Sequence, residues 1–152
     1  MCDKLKSKFD CFLNYIQNIS SKNIKEETNK SNCIIDNYNC PCCNYPTLPE
    51  RGAYYICPLC HWEDDGQDYT DENETWCGPN GDYTLKEAKE NFVNNLTMYR
   101  VNDIENFLIS SQKISLKEKL IDIFNRIKSI PKGHICDKTK EDIIQITNKL
   151  NS

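Results

Sequence analysis

Two short cysteine pairs constrain the fold of this chain more than any other feature of its sequence. Cys40 and Cys43 lie in the stretch CPCC, Cys57 and Cys60 lie in the stretch CPLC, and thirteen residues separate the two units. Two intervening residues let a tight turn direct both thiolates of a pair at one ion, and proline at the second position favours that turn by fixing φ. Two such turns complete the tetrahedral shell of four sulfurs that zinc prefers in closed structural sites.

The spacing therefore predicts one structural zinc ion bound by Cys40, Cys43, Cys57 and Cys60. A four-thiolate shell also suits iron, as in a rubredoxin-like electron carrier, but rubredoxin-type proteins separate their two turns more widely. Disulfides are disfavoured in a reducing compartment, and no βαβ pattern surrounds either unit, as a thioredoxin-like redox pair would require. Zinc is the expected cofactor, and iron is the alternative.

The other cysteines and the histidines have no comparably regular spacing. Cys42 lies between two predicted ligands, where a tight turn directs its side chain away from the ion, so we expect an exposed or half-buried free thiol. Cys33, Cys42 and Cys77 with His61 would form only an irregular second site, and we expect His61 to pack on the sheet or face water. Ordinary core or surface roles are expected for Cys2, Cys11, Cys136 and His134.

The apolar pattern divides the chain into three regions. Residues 1–33 are predicted to form an amphipathic helix, over residues 3–20, and a polar linker. Residues 34–98 combine the cysteine pairs and short β-type runs, IIDNYNC, AYYIC and HWEDD, with one helix, and residues 99–152 are helical. The fold class is therefore α+β: a small zinc-ribbon-like β module flanked by an N-terminal helix and a C-terminal helical region.

The helix signals after the cysteine pairs are specific enough to place individual elements. A capping-box pattern begins one helix at Thr84, with Glu87 bonding back to its amide, and another begins a helix at Ser115. Between them, residues 103–111 are predicted to form a helix whose inward residues are Ile104, Phe107 and Leu108. Pro131 and Gly133 should end the helix from Ser115, and Thr139 should cap the last one.

Charge is distributed unevenly along a chain whose net charge is −4. Residues 31–83 carry one basic residue, Arg51, against ten acidic ones, so a protein partner with a basic surface would be attracted to the cysteine-rich region. A solvated acidic loop without a partner is the alternative. The candidate partner contacts lie directly after the second cysteine pair: Trp62, Glu63, Asp64 and Asp65. For Trp62 the alternative is a structural lid on the sheet, which we favour over an interface anchor.

Other functional classes have weaker support in the sequence. Nucleic-acid binding, common among zinc ribbons, needs clustered lysine and arginine, whereas the basic residues of the C-terminal helices alternate with acidic ones. Four thiolates leave no open position on a catalytic metal, and the chain has no Gly-rich phosphate loop, nucleophile elbow or H-E-x-x-H pattern, so we expect no enzymatic activity. Without a membrane span or a signal-peptide pattern, we expect a cytoplasmic location.

The cysteine-rich region resembles the cysteine-rich CPCC family over residues 38–96. The resemblance is carried by CPCC, by ICPLC, by WEDDG at residues 62–66, and by Tyr45, Thr47, Leu48, Gly78, Asn80, Leu85, Ala88 and Asn91. Family members usually have glycine where this chain has Asn44, and asparagine tolerates left-handed backbone better than most residues. An aromatic residue is common at the position of His61. The resemblance implies a small zinc-ribbon-like module with no established enzymatic activity.

Overall fold

The computed structural model describes residues 37–129 and 135–152, so the predicted helix at residues 3–20 lies outside the described part of the chain. The described elements, in chain order, are β1 (Tyr38–Asn39), β2 (Pro46–Leu48), a 3-10 turn (Tyr69–Asp71), α1 (Leu85–Asn95), α2 (Ile104–Phe107), α3 (Ser111–Ser129) and α4 (Asp137–Asn151). A small two-stranded sheet and four helices in these residues confirm the mixed α+β composition.

Each cysteine pair lies at the tip of a short antiparallel hairpin. In the first hairpin, β1 pairs with β2 and Tyr38 lies opposite Leu48. The second hairpin consists of one isolated bridge between Ile56 and Glu63, with further backbone hydrogen bonds between residues 54–55 and Asp64. The tips of the two hairpins lie together, so the two cysteine pairs are close in space although they are separated in sequence.

The predicted strands over AYYIC and HWEDD form only this bridge and the hydrogen bonds beside it. Tyr54 has a φ of 60°, which is left-handed backbone and interrupts the extended run that its aromatic and aliphatic neighbours favour. The second hairpin is therefore shorter than its β propensity suggests.

The buried core connects the two hairpins to the helices. Its fully buried large side chains come from the first hairpin (Leu48), from the second (Leu59, Trp62), from α1 (Leu85) and from α3 (Leu120). Burying one such apolar side chain stabilises a fold by about 1.5–3 kcal/mol. The helices thus share a core with the cysteine hairpins.

Helix α1 begins where the sequence predicts. The Thr84 hydroxyl accepts a hydrogen bond from the Glu87 amide at 3.0 Å, which is the expected N-cap. The other half of the predicted capping box does not form, because the Glu87 carboxylate accepts from the Arg100 guanidinium instead. At the other end, Leu96 has a φ of 57°, and this left-handed residue turns the chain back towards the second hairpin.

The helix predicted over residues 103–111 is wrong in both its length and its orientation. It forms the single turn α2, and Ile104, Phe107 and Leu108 are 70–76% exposed instead of facing inward. Helix α3 begins four residues before the predicted Ser115, because the Ser110 hydroxyl accepts a hydrogen bond from the Lys113 amide at 3.2 Å and starts the helix there. Ser115 therefore lies inside α3.

Helices α3 and α4 pack against each other and present their predicted apolar residues to the core. Leu120 and Phe124 of α3 are buried, as are Ile143 and Leu150 of α4. Helix α4 begins at Asp137, two residues before the predicted cap Thr139. No helix of residues 37–129 and 135–152 is both long and apolar enough to cross a bilayer.

One aromatic side chain joins the first hairpin to two helices. The Tyr45 ring stacks on Phe124 of α3 with a centroid separation of 5.7 Å and meets Phe92 of α1 edge-on at 6.3 Å. The Lys128 ammonium lies 4.5 Å from the centroid of the same ring. Such aromatic pairs contribute about 0.5–1.5 kcal/mol each beyond the area they bury.

We predict that Phe124→Ala lowers the free energy of unfolding by about 3–5 kcal/mol, because it removes a buried ring and leaves a cavity beside Tyr45. Val93→Ala, at a position 79% exposed on α1, should change it by less than about 0.5 kcal/mol. Urea unfolding followed by circular dichroism measures both. Equal effects of the two substitutions would contradict this assignment of the core.

Candidate metal centre

The two C-P-x-C units fold into equivalent turns. The amide that follows each second cysteine donates to the carbonyl of the first: Asn44 to Cys40 at 2.8 Å and His61 to Cys57 at 2.9 Å. Asn44 and His61 both have left-handed backbone, with φ of 59° and 74°. Each turn is closed by one more backbone bond, from the amide of its first cysteine to the carbonyl five residues later. The left-handed residue after each pair is what lets the turn close.

The four predicted ligand sulfurs converge on one point. The Sγ atoms of Cys40 and Cys60 are 3.5 Å apart, those of Cys43 and Cys57 are 3.7 Å apart, and all four lie within 4.8 Å of one another. A tetrahedron with zinc–sulfur bonds of about 2.3 Å has sulfur–sulfur edges of roughly 3.8 Å. The cysteines are at most 6% exposed. They are therefore positioned to bind one metal ion.

Groups around the second turn donate hydrogen bonds to the sulfurs. The Cys60 amide donates to Cys57 Sγ and the Trp62 amide to Cys60 Sγ, both at 3.5 Å, and the Thr47 hydroxyl lies 3.0 Å from Cys57 Sγ. Hydrogen bonds of this kind stabilise the charged form of a thiol. The turn therefore favours thiolates at its two cysteines.

Burial and hydrogen bonding act in opposite directions on the four thiols. Burial alone would raise the pKa of Cys57, but hydrogen bonds from the other three thiols and from Thr47 outweigh it and lower that pKa well below its ordinary value. Burial raises the pKa of Cys40 and of Cys60 well above the ordinary value. The positive charge of a bound cation is what deprotonates such buried thiols.

Cys42 differs from its prediction. It is buried, with 5% exposure, and does not face solvent. Cys77 is exposed. The irregular second site is not assembled by Cys42, Cys77 and His61, and Cys33 lies outside the described residues; within these residues, the four-cysteine group is the metal-compatible cluster. Cys136 is exposed, whereas Cys2, Cys11 and His134 also lie outside the described part.

His61 packs against the segment that follows α1. Its Nδ1 lies 3.4 Å from the Thr97 hydroxyl, and its ring stacks on Tyr99 with a centroid separation of 5.8 Å. Burial, with the nearby charge of Lys117, lowers the pKa of His61 to about 3. His61 is therefore neutral near pH 7, and packing was one of the two outcomes expected for it.

Two of the four candidate partner contacts are buried and cannot touch a partner. Trp62 and Asp64 are both fully buried, and Asp64 Oδ2 accepts hydrogen bonds from Arg51 Nε at 2.9 Å and from the Gly52 amide at 2.8 Å. Glu63 and Asp65 are half-buried. The sequence already indicated that Trp62 and Asp64 are buried together, because Cys60, Trp62 and Asp64 occupy alternate positions, as residues on one face of a strand do.

A neighbouring loop exposes two aromatic side chains, whereas Trp62 is buried as a lid on the sheet would be. We call residues 68–77 the acidic loop. The buried Gln67 side chain supports it by donating to the carbonyls of Asp71 and Glu74 at 2.9 and 2.7 Å. On the loop, Tyr69 is 75% exposed and Trp76 is 45% exposed. Neither aromatic residue is distinguished by the sequence pattern, although both lie among polar residues.

The fold and the site define a small α+β domain with four cysteines positioned to bind one metal ion. The chain matches the family model described as "Cysteine-rich CPCC" over residues 38–117, more than half of its length, and it therefore belongs to that family. The match extends past residue 98, the predicted end of the cysteine-rich domain, and reaches into α3. Searches of curated proteins and of solved structures found no match.

We predict that Asp64→Ala lowers the free energy of unfolding by about 2–3 kcal/mol, because it removes a buried acceptor for Arg51 and for the Gly52 amide. Glu74→Ala removes an exposed carboxylate from the acidic loop and should change it by less than about 0.5 kcal/mol. Denaturant unfolding of both metal-saturated variants provides the comparison. A wild-type midpoint for Asp64→Ala would show that this carboxylate does not stabilise the hairpin.

Proposed function

We propose that this chain is a zinc-ribbon-like module whose zinc ion has a structural role, and that it binds a protein partner with a basic surface. The observation that carries the first part is the convergence of four buried cysteine sulfurs at the tips of two hairpins, with tetrahedral spacing. The residues that would bind zinc are Cys40, Cys43, Cys57 and Cys60.

The donor set supports a structural role over a catalytic one. Catalytic zinc is usually bound by three protein ligands and keeps a position for water or substrate, whereas four thiolates fill a tetrahedral shell. Thiolates also suit ferrous and ferric iron, so the identity of the metal is decided by measurement. A structural zinc ion would contribute about 10 kcal/mol or more to folding, by analogy with zinc-finger peptides.

Native mass spectrometry of the full chain, purified under reducing conditions, should show one bound zinc ion. Cys57→Ser should abolish this binding, because it removes one of the four sulfurs, whereas Cys77→Ser should leave it intact because Cys77 is exposed and outside the cluster. Chelation should make the hairpins sensitive to limited proteolysis while the α3–α4 pair partly persists.

Two results would contradict the zinc assignment in different ways. A red protein with one iron atom would favour the rubredoxin-like alternative at the same four cysteines. A chain that binds no metal, or whose digestion pattern is unchanged after verified metal removal, would contradict a structural metal altogether.

The acidic loop supports the second part of the proposal. It carries four acidic residues and no basic one, namely Asp68, Asp71, Glu72 and Glu74. Arg51 and Lys89 form ion pairs with two of them, at 3.3 Å to Asp68 and 2.6 Å to Glu72, which leaves a negative surface. Zinc bound by four thiolates would add further negative charge beneath it. Such a surface attracts a basic partner and repels a polyanion.

The exposed aromatic residues give this surface the chemistry of a protein interface. Tyrosine and tryptophan are enriched among the residues that contribute most to binding, because they bury a large area at a low cost in conformational entropy. Tyr69 and Trp76 are both exposed on the acidic loop. We therefore place the partner surface on the acidic loop, next to the half-buried Glu63 and Asp65 and not on the buried Trp62 and Asp64.

We expect the zinc-loaded chain to select arginine- and lysine-rich peptides from a peptide array, with binding that weakens as salt is raised. Trp76→Ala should weaken the selected complex at least about tenfold, as expected for an interface aromatic. Glu74→Lys should also weaken it, whereas Glu118→Lys, the same charge change on the exposed face of α3, should have little effect.

Equal losses for Glu74→Lys and Glu118→Lys would show that only net charge matters and would contradict a defined surface. Retention of the chain on a polyanion resin at low salt would instead favour the nucleic-acid alternative.

A further inference from the structure

Lys117 is a fully buried lysine on α3, and its position is unusual for this residue type. Lysine is almost never fully buried unless its charge is paired. Its Nζ donates to the Leu96 carbonyl at 2.8 Å, and no salt bridge among the described residues joins it to a carboxylate. A single neutral carbonyl does not balance a buried ammonium, so a negative charge nearby would stabilise it.

The contacts of Leu96 and its neighbours place Lys117 beside the metal centre. The segment of residues 96–98 runs along the second cysteine turn: the Met98 amide donates to the Cys60 carbonyl at 2.8 Å, and Thr97 contacts the His61 ring. By bonding to the carbonyl of Leu96, the Lys117 ammonium is held at the segment that contacts the second cysteine turn.

The electrostatic interactions of Lys117 are also consistent with a position near the four cysteines. Burial lowers the pKa of Lys117 to about 8, while the charges of Cys60, Cys57 and Cys43 act to raise it, and Lys113 acts to lower it. Three of the four cysteines therefore interact with this ammonium, which still carries its charge near pH 7.

We propose that Lys117 is the counter-charge of the metal centre and that its ammonium sets the affinity of the four cysteines for their ion. This inference rests on the proposed metal site. Four thiolates carry more charge than a divalent cation neutralises, and a buried net negative charge is costly. A positive charge fixed nearby, where the effective dielectric is low, offsets part of that cost only when the thiolates and the metal are present.

Lys117→Met in the full-length chain tests the proposal, because methionine fills a similar volume without a charge. Zinc affinity, measured by competition with a chromophoric chelator, should fall by about tenfold or more. Lys119→Met is the matched control: it removes a lysine from an exposed position on the same helix and should leave the affinity within about twofold of wild type.

A second measurement separates charge from packing. With iron loaded in place of zinc, reduction adds negative charge to the four-sulfur centre, so a nearby ammonium favours the reduced state. Lys117→Met should therefore shift the reduction potential to more negative values, and Lys119→Met should not. Lys117→Arg, which retains the charge, should keep the potential closer to wild type than Lys117→Met does.

The outcomes distinguish a failure of the proposed metal site from a failure of the proposed role of Lys117. A wild-type chain that binds neither zinc nor iron overturns both the proposed function and this inference. A wild type that binds metal, with Lys117→Met equal to it in affinity and potential, overturns only the role of Lys117. Weaker affinity without a shift in potential, or the same loss in Lys117→Arg, also overturns it, because packing then explains the effect. Should Lys117→Met not fold, Lys117→Gln replaces it in both measurements.

Discussion

The convergence of four cysteine sulfurs is the constraint around which the rest of this structure is arranged. Four thiols buried within 4.8 Å of one another are unfavourable to ionise by themselves, because like charges repel and the interior solvates them poorly. The two equivalent turns meet this cost locally: left-handed residues at Asn44 and His61 let each turn close, and amides of the second turn point at its sulfurs. A cation bound at the centre would supply what the local geometry cannot, and the hairpins and their ion would then form one folding unit.

The metal centre and the helices also depend on each other. Tyr45 follows the first turn and lies between Phe92 of α1 and Phe124 of α3, while the segment after α1 binds the second turn through Met98. The family match ends inside α3 at the position of Lys117, the buried lysine of that helix. Helix α3 therefore packs against the hairpins that carry the four cysteines, and under our proposal it would also contribute a positive charge to their site.

Negative charge in this domain is divided between a buried and an exposed part. Asp64 accepts hydrogen bonds from Arg51 and from the Gly52 amide inside the fold. It therefore stabilises the second hairpin and is not available to a partner. The acidic loop, supported from below by Gln67, leaves its carboxylates and two aromatic rings near solvent. A buried carboxylate thus stabilises the fold, whereas the exposed carboxylates of the acidic loop remain accessible to a partner.

The sequence by itself determined which four cysteines cluster, the tolerance for left-handed backbone at Asn44 and the start of α1 at Thr84, because each depends on residues only a few positions apart. It also indicated the mixed α+β composition. Only the tertiary structure decided that Trp76 is exposed, that Cys42 is buried, that Lys117 is buried and bonded to the segment that contacts the second cysteine turn, and that the apolar residues of α2 face solvent. Burial depends on which distant segments cover a side chain, and that information is not contained in the local spacing of residues.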